Sequence, residues 1–215
     1  MLSLHSSDAL LEEAPSSEIG FALTRKPRRP SRAEAEAAVR TLIGWAGDDP
    51  TREGLRDTPA RVARAYEEWF AGYGQDPAEI LSRTFGEVAG YRDLVILRDI
   101  GLQSTCEHHM AAIGGVVHIA YLPKDRVVGI SKLARLVDVF ARRLQIQERL
   151  TAEIADALQR ALEPAGVAVI IEAAHACMSS RGVRKHGAAL ATRQFRGVFE
   201  ADEAARRDVL TALGA

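Results

Sequence analysis

Three compact apolar runs, all after residue 90, constrain the fold of this chain most. Residues 94–100, 116–122 and 167–174 are short and rich in branched side chains, which is typical of buried strands. Residues 188–199 are predicted to form a fourth strand. A sheet of four short strands leaves its edges open, so the sequence also favours closure of the sheet through partner subunits.

In most of the remaining chain, apolar residues recur at the spacing of a helix. Ser31 and Glu34 have the spacing of a capping box, and Pro59 follows Thr58 at a second predicted helix start. The predicted helices cover residues 31–46, a segment from 58 that ends before Gly72, a short segment after Asp76-Pro77, and residues 131–144, 147–162 and 202–213. Because helices come first and a helical pair then interrupts the strands, we predict an α+β domain with helices on one face of a mainly antiparallel sheet.

Composition divides the chain and excludes several classes of protein. Residues 1–30 have little apolar periodicity and are predicted to form a flexible tail, followed by an N-terminal helical segment over 31–90 and the main domain over 91–215. With 28 Lys and Arg against 29 Asp and Glu, the net charge of −1 gives no field that attracts nucleic acid or an anionic membrane. No apolar stretch is long enough to span a bilayer, and we expect a cytoplasmic protein.

Both cysteines of the chain lie near histidines. Cys106 and His109 have a spacing that brings a thiolate and an imidazole together in a helical turn, and His175 and Cys177 share a face if the preceding strand continues. We predict that Cys106, His109 and Cys177 bind zinc and leave the fourth position to water, whose pKa zinc lowers to about 7. His108 and His175 then serve in proton transfer; alternatively, one of them is a fourth ligand and the site is structural.

Local clusters of cations indicate a polyanionic ligand, since arginine guanidinium groups match phosphate oxygens. Ser131 is the predicted N-cap of the helix that follows it. The candidate phosphate contacts are Lys132, Arg135 and Arg181, with Arg61 and Arg64 repeating a three-residue spacing.

Gln147 and Glu148 begin the next predicted helix. A carboxylate there can select guanine by accepting from N1–H and the exocyclic amine, and a glutamine offers both a donor and an acceptor. A glutamate at a helix start is also explained by the helix dipole alone.

These residues lie in stretches that resemble the GTP cyclohydrolase I family. The resemblance extends over about residues 31–200. The stretches that carry it are Asp-Thr-Pro-Ala-Arg-Val-Ala-Arg at 57–64, Thr-Cys-Glu-His-His at 105–109, His-Ile-Ala-Tyr-Leu-Pro at 118–123, Gly-Ile-Ser-Lys-Leu-Ala-Arg at 129–135, Gln-Ile-Gln-Glu-Arg-Leu-Thr at 145–151 and His-Ala-Cys-Met-Ser-Ser-Arg-Gly-Val-Arg at 175–184. The chain departs from the family after His109, where it reads Met-Ala-Ala-Ile-Gly-Gly.

The resemblance implies a tunnelling fold that assembles into a homodecamer of two pentamers, with active sites between subunits. It also implies a reaction, the first step of tetrahydrofolate and pterin biosynthesis: GTP is hydrolysed at C8 of guanine, formate is released, and rearrangement gives 7,8-dihydroneopterin triphosphate. The residues that match the family's functional positions are Cys106, His109 and Cys177 for zinc; His108 and His175 for proton transfer; Gln147 and Glu148 for guanine, with Glu107 near the base; Lys132, Arg135, Arg181, Arg61 and Arg64 for triphosphate; and Ser131 beside the ribose.

Two other functions remain open at this point. One is an inert module of the same fold that binds zinc and nucleotide without turnover. The other is the related nitrile reductase, which needs a reactive cysteine and a nicotinamide cofactor. The two histidines beside Cys106 favour a metal ligand at that position.

Overall fold

The structure, a computed structural model, describes residues 28–86 and 90–214. The helices are α1 (Arg32–Trp45), α2 (Thr58–Trp69), α3 (Pro77–Leu81), α4 (Ile130–Ala141), α5 (Gln147–Leu162), α6 (Ala176–Ser179), α7 (Val198–Ala201) and α8 (Glu203–Leu213). The strands are β1 (Thr84–Phe85), β2 (Val95–Cys106), β3 (Ala112–Leu122), β4 (Val127–Val128), β5 (Leu144–Gln145), β6 (Gly166–His175) and β7 (Leu190–Gly197). Of the predicted flexible tail, residues 1–27 lie outside the described residues.

The N-terminal helices α1 and α2 pack against each other and begin where the sequence predicts. The Glu34 N–H donates to the Ser31 side chain, and the Ser31 N–H donates to the Glu34 carboxylate at 2.8 Å, which completes the capping box. Hydrogen bonds from Arg28 and Ser31 lower the pKa of Glu34 to about 2. No residue of α1 is buried, and Trp45 at its end is 86% exposed, so this helix adds little to the core of the described chain.

The central sheet has five strands in the order β5-β2-β3-β6-β7. All neighbours are antiparallel except β5, which runs parallel to the end of β2. β2 is longer than predicted, because the chain bulges between Leu97 and Ile100 and then continues as a strand. At the bulge Asp99 has a φ of 58°, and its N–H donates to His118 Nδ1 at 3.1 Å.

Different helices cover the two faces of the sheet. Helices α4 and α5 lie on one face, as predicted, and bury the larger core, to which Leu136, Leu150 and Val169 belong. Helices α7 and α8 cover a smaller cluster on the opposite face, which includes Ile170 and Val209, so the prediction of helices on one face does not hold for α8. None of the described helices combines the length and apolar character needed to cross a membrane.

The close approach of β3 to β6 at Gly115 leads to a prediction about stability. A Cβ atom at Gly115 would collide with the carbonyl oxygen of Glu172 and with Cα of Ala173 on the neighbouring strand. We expect Gly115→Ala to lower the free energy of unfolding by about 3 kcal/mol, the upper part of the usual range for overpacking. Gly114→Ala is the matched control, because a Cβ there meets no atom within 4 Å. Urea unfolding measures the difference, and equal stability of the two variants would contradict the prediction.

Candidate active site

The three predicted metal ligands lie together at one end of the sheet. Cys106 ends β2, and the chain then turns so that the Met110 N–H donates to the Cys106 carbonyl oxygen at 2.8 Å. This turn returns His109 to the strand end, and Cys177 arrives from α6, directly after β6. The sulfur atoms of Cys106 and Cys177 and one ring nitrogen of His109 lie within 4.8 Å of one another.

The backbone that brings Cys177 to this group differs from the predicted continuation of the strand. β6 ends at His175, which is the N-cap of α6, so a helical turn carries Cys177 to the ligand group. The expectation that alternation along a strand places His175 and Cys177 on one face is therefore wrong. Residues 107–109 likewise form a turn rather than a helix.

The group fits a metal ion such as zinc. Tetrahedral zinc, with bonds of about 2.3 Å to sulfur and 2.0 Å to nitrogen, holds its ligand atoms about 3.5–4 Å apart, so only a small contraction is needed. In the described part of the chain this is the one such group of three or more Cys, His, Asp or Glu side chains, and neither His108 nor His175 belongs to it. Three protein ligands with an open position are the arrangement of catalytic rather than structural sites.

The surroundings of the Cys177 thiol favour its protonated form. Burial raises the pKa of the Cys177 thiol, the adjacent Cys106 thiol raises it further, and Arg181 opposes both effects. Arg181 also donates to His109 Nε2 at 3.2 Å. Because thiolates are the metal-binding form, affinity for a metal is expected to rise with pH.

A cavity of about 360 Å³ opens beside the ligand group. Cys106 and Cys177 form part of its wall, together with His108, Glu148 and His175. Glu148 is exposed at the start of α5, whereas Cys106 is buried. The cavity thus brings a carboxylate and two imidazoles to the predicted metal ligands.

Gln147 has surroundings that differ from those expected of a guanine-binding residue. It is 1% exposed, and its Oε1 lies 2.8 Å from Nε2 of His175. Its Nε2 donates to the carbonyl oxygens of Ile171 and Leu190 and to Thr192 Oγ1 at 2.9–3.1 Å. Both polar atoms of this amide are therefore engaged inside the chain.

His175 lies between Gln147 and the cavity, where burial lowers its pKa. The Glu148 carboxylate raises the pKa and partly offsets burial. His175 is therefore mostly neutral near pH 7, since a lowered pKa moves the titration of an imidazole further below neutrality.

Arg149 is a candidate site residue that the sequence does not predict. Its guanidinium donates to Glu107 Oε2 at 2.5 Å, to Gln145 Oε1 and to the Leu144 carbonyl oxygen, both at 3.0 Å. Glu107 follows the first metal ligand, so Arg149 holds the ligand loop against the start of α5. Its position four residues after Gln145 is a signal in the sequence, but that spacing alone does not reveal a partner in another loop.

Lys132 and Arg135 line a second cavity of about 830 Å³, which is separate from the cavity at the ligand group. Both residues lie on α4, whose N-cap is Gly129. The predicted N-cap Ser131 is wrong, because it is an exposed residue within the first turn of that helix.

The other predicted phosphate contacts lie elsewhere. Arg181 contacts His109, while Arg61 and Arg64 lie on α2 and line neither of these two cavities. Arg61 forms an exposed ion pair with Asp57 at 3.4 Å. The five predicted cations therefore do not converge within one chain.

An α+β fold with three side chains that can hold a metal ion, and with a histidine and a carboxylate in the adjoining cavity, is an arrangement that suits a metal-dependent hydrolase. Comparison with known proteins gives the particular family. The family model described as GTP cyclohydrolase I matches residues 35–214, and the chain belongs to this family. Its fold is the tunnelling fold that the sequence resemblance implies, and the match does not favour the reductase or the inert module.

Two curated relatives support the assignment over most of the chain. The protein named GTP cyclohydrolase 1 from Brucella canis is 59% identical over 178 residues, which are 83% of this chain and 84% of that protein. The protein of the same name from Maricaulis maris is 59% identical over 174 residues, 81% of this chain and 85% of that protein. Among solved structures, archaeosine synthase QueF-Like in the apo form covers 50% of this chain and 96% of its own, with a TM-score of 0.42 and 20% identity.

Proposed function

We propose that this chain hydrolyses GTP at C8 of guanine with zinc as its metal, releases formate and rearranges the product to 7,8-dihydroneopterin triphosphate. The observation that carries the proposal is the single cavity that contains Cys106 and Cys177 together with His175 and Glu148. In that cavity a proton-transferring imidazole and a carboxylate suited to guanine surround the metal ligands. Membership of the family supports the same reaction.

Cys106, His109 and Cys177 would hold the zinc. Zinc bound there supplies a Lewis acid that activates water at neutral pH. The pair of Arg149 and Glu107 holds the loop between the first two ligands and would help to keep these ligands in place. A purine whose C8 faces this position is then held for reaction by contacts elsewhere on the nucleotide.

His175 is proposed to protonate N7 of guanine as C8 is attacked. Since burial lowers its pKa, it takes up a proton before it donates one. His108 is exposed, and its Nδ1 lies 3.9 Å from Cys106 Sγ. We assign to His108 the later proton transfers that follow ring opening.

The triphosphate is proposed to lie between subunits. Lys132 and Arg135 line a cavity separate from the one at the metal ligands of their own chain, which supports a triphosphate site shared with a second copy. In the described part of the chain β5 and β7 leave the two edges of the sheet open, and α1 has no buried residue. These features support assembly with further copies, for which we propose the homodecamer, and we place Ser131 beside the ribose.

Incubation of the zinc-loaded protein with GTP tests the proposed function. We expect formate to be released in a one-to-one ratio to the GTP consumed, and pterin fluorescence to appear after oxidation and dephosphorylation of the product. Consumption of GTP with release of inorganic phosphate instead of formate would contradict the proposal.

Glu148 gives a prediction about base selection. Glu148→Ala removes a charged acceptor for N1–H and the exocyclic amine, so we expect kcat/KM for GTP to fall roughly 10- to 100-fold, from the usual strength of charged hydrogen bonds. Inhibition by ATP and by inorganic triphosphate should change little. Glu203→Ala is the matched control, because Glu203 also lies in the first turn of a helix but away from the cavity. Equal losses of kcat/KM in both variants would show that Glu148 acts only by its favourable interaction with the helix dipole.

A further inference from the structure

The amide of Gln147 has its orientation fixed by its neighbours. Its nitrogen faces the carbonyl oxygens of Ile171 and Leu190, which only accept hydrogen bonds, and also Thr192 Oγ1. A flipped amide would place oxygen against two carbonyl oxygens and its N–H groups against His175. The orientation with Oε1 towards His175 is therefore the one that satisfies the buried groups.

A short chain of hydroxyl groups supports the same orientation. Thr151 Oγ1 donates to the Gln147 backbone carbonyl oxygen at 2.7 Å, which uses its only hydrogen. Thr192 Oγ1 lies 2.7 Å from Thr151 Oγ1 and must donate to it. Thr192 Oγ1 is then left to accept from the Gln147 amide, so both hydroxyl hydrogens in this network have a defined direction.

The orientation of the amide determines the state of His175. Gln147 Oε1 can only accept, and it lies 2.8 Å from His175 Nε2. Nε2 therefore carries the hydrogen, and in the neutral ring Nδ1 is the nitrogen with a free lone pair. Among the described residues Nδ1 makes no hydrogen bond, and His175 lines the cavity beside the metal ligands.

From this geometry we infer that Gln147 is a positioning residue that locks His175 as the Nε2–H tautomer and leaves Nδ1 to exchange protons with the substrate. This inference rests on the proposed function and deepens it. Nδ1 first takes up a proton from solvent water, which gives the imidazolium. In the transfer to guanine this Nδ1–H bond breaks and the N7–H bond forms, and the ring returns to the neutral Nε2–H tautomer. Recognition of guanine then belongs to Glu148, which is exposed to the cavity, and not to the buried Gln147.

The first test uses Gln147→Met, which keeps the length of the side chain and removes the acceptor. We expect kcat to fall roughly 10- to 100-fold, which is the usual effect of removing a hydrogen bond that orients a histidine. KM for GTP and the preference for GTP over ATP should not change. Gln159→Met is the matched control, because Gln159 is on the same helix and its Oε1 has no partner among the described residues. A raised KM with weakened base preference in Gln147→Met would overturn the inference and identify Gln147 as a guanine reader.

A double-mutant cycle distinguishes positioning from general damage to the fold. If Gln147 acts only through His175, Gln147→Met should cause no further loss of kcat in the His175→Ala background. Additive losses would contradict the inference. Thr192→Val and Thr192→Ser provide a milder pair: we expect a smaller loss of kcat in the first and wild-type kcat in the second, and equal losses in both would also contradict it.

The tautomer itself can be observed without turnover. Magic-angle-spinning NMR of the zinc-loaded protein with ¹⁵N-labelled histidine, with the His175 signals assigned by their loss in His175→Ala, should show a protonated Nε2 and a bare Nδ1. In Gln147→Met the signals should move towards a mixture of tautomers. The Nδ1–H tautomer in the wild type, or no change in the variant, overturns the inference. Absence of formate release from wild-type protein would refute the proposed function while leaving this measurement decisive for Gln147.

Discussion

Cys177→Ser is expected to abolish zinc binding and formate release together. Cys177 supplies one of three ligand atoms that lie within 4.8 Å of one another, and a serine hydroxyl is a far weaker ligand than a thiolate. Loss of one transition-state hydrogen-bond donor costs an enzyme about 10²–10³ in kcat, so loss of the whole metal should cost at least about 10³-fold. Elemental analysis of the purified variant and the formate assay measure the two effects.

His186→Ala is the control for this experiment, since His186 is exposed and lies outside the ligand group. It should keep one zinc per chain and its full activity. A Cys177→Ser protein that retains stoichiometric zinc would show that the metal is held elsewhere. A variant that loses zinc but still releases formate at the wild-type rate would show that the reaction does not depend on this metal.

His175→Ala is expected to keep its zinc and lose turnover. His175 lies in the cavity beside the ligand group but does not belong to that group, so its removal leaves all three ligand atoms in place. General acid–base catalysis contributes about 10²–10⁴-fold to a rate, and we expect kcat to fall by that factor, with no ring-opened intermediate accumulating. Rapid-quench assays with labelled GTP follow both consumption and ring opening.

The zinc content of the same sample decides between two roles for His175. Retention of zinc supports a proton-transfer role, whereas its loss would make His175 a fourth ligand and the site a closed one. Accumulation of the ring-opened formamide would instead place His175 after the first hydrolysis.

The local chemistry of the sequence predicts much of the fold. The capping box at Ser31 and the apolar runs that became β3 and β6 are confirmed, because they depend on residues close together in the chain. The N-cap of α4, Gly129, is less predictable, since Ser131 two residues later has a side chain that favours the N-cap position. The second half of β2 is missed because a bulge at Asp99 separates its apolar start from its polar end.

The sequence predicts which residues form the candidate site, but it does not predict the directions in which their side chains point. The approach of Cys177 to Cys106 depends on a helical turn that begins one residue after His175, which alternation along a strand does not reveal. The role expected of Gln147 depends on which way its side chain points. The side chain of Gln147 points inwards because its amide donates to carbonyl and hydroxyl groups of β6 and β7. The register between these two strands places those groups.

The short parallel pairing of β5 with β2 has a consequence for redesign of this protein. Thr105 and Cys106 pair with Leu144 and Gln145, and the Glu107 N–H donates to the Gln145 carbonyl oxygen at 3.0 Å. The strand end that offers the first metal ligand is thus fastened directly to the segment that enters α5 and presents Glu148. Engineering that retunes the enzyme for another purine by moving this segment will shift the coordination geometry as well, so changes in base preference should be sought in side chains and not in the backbone.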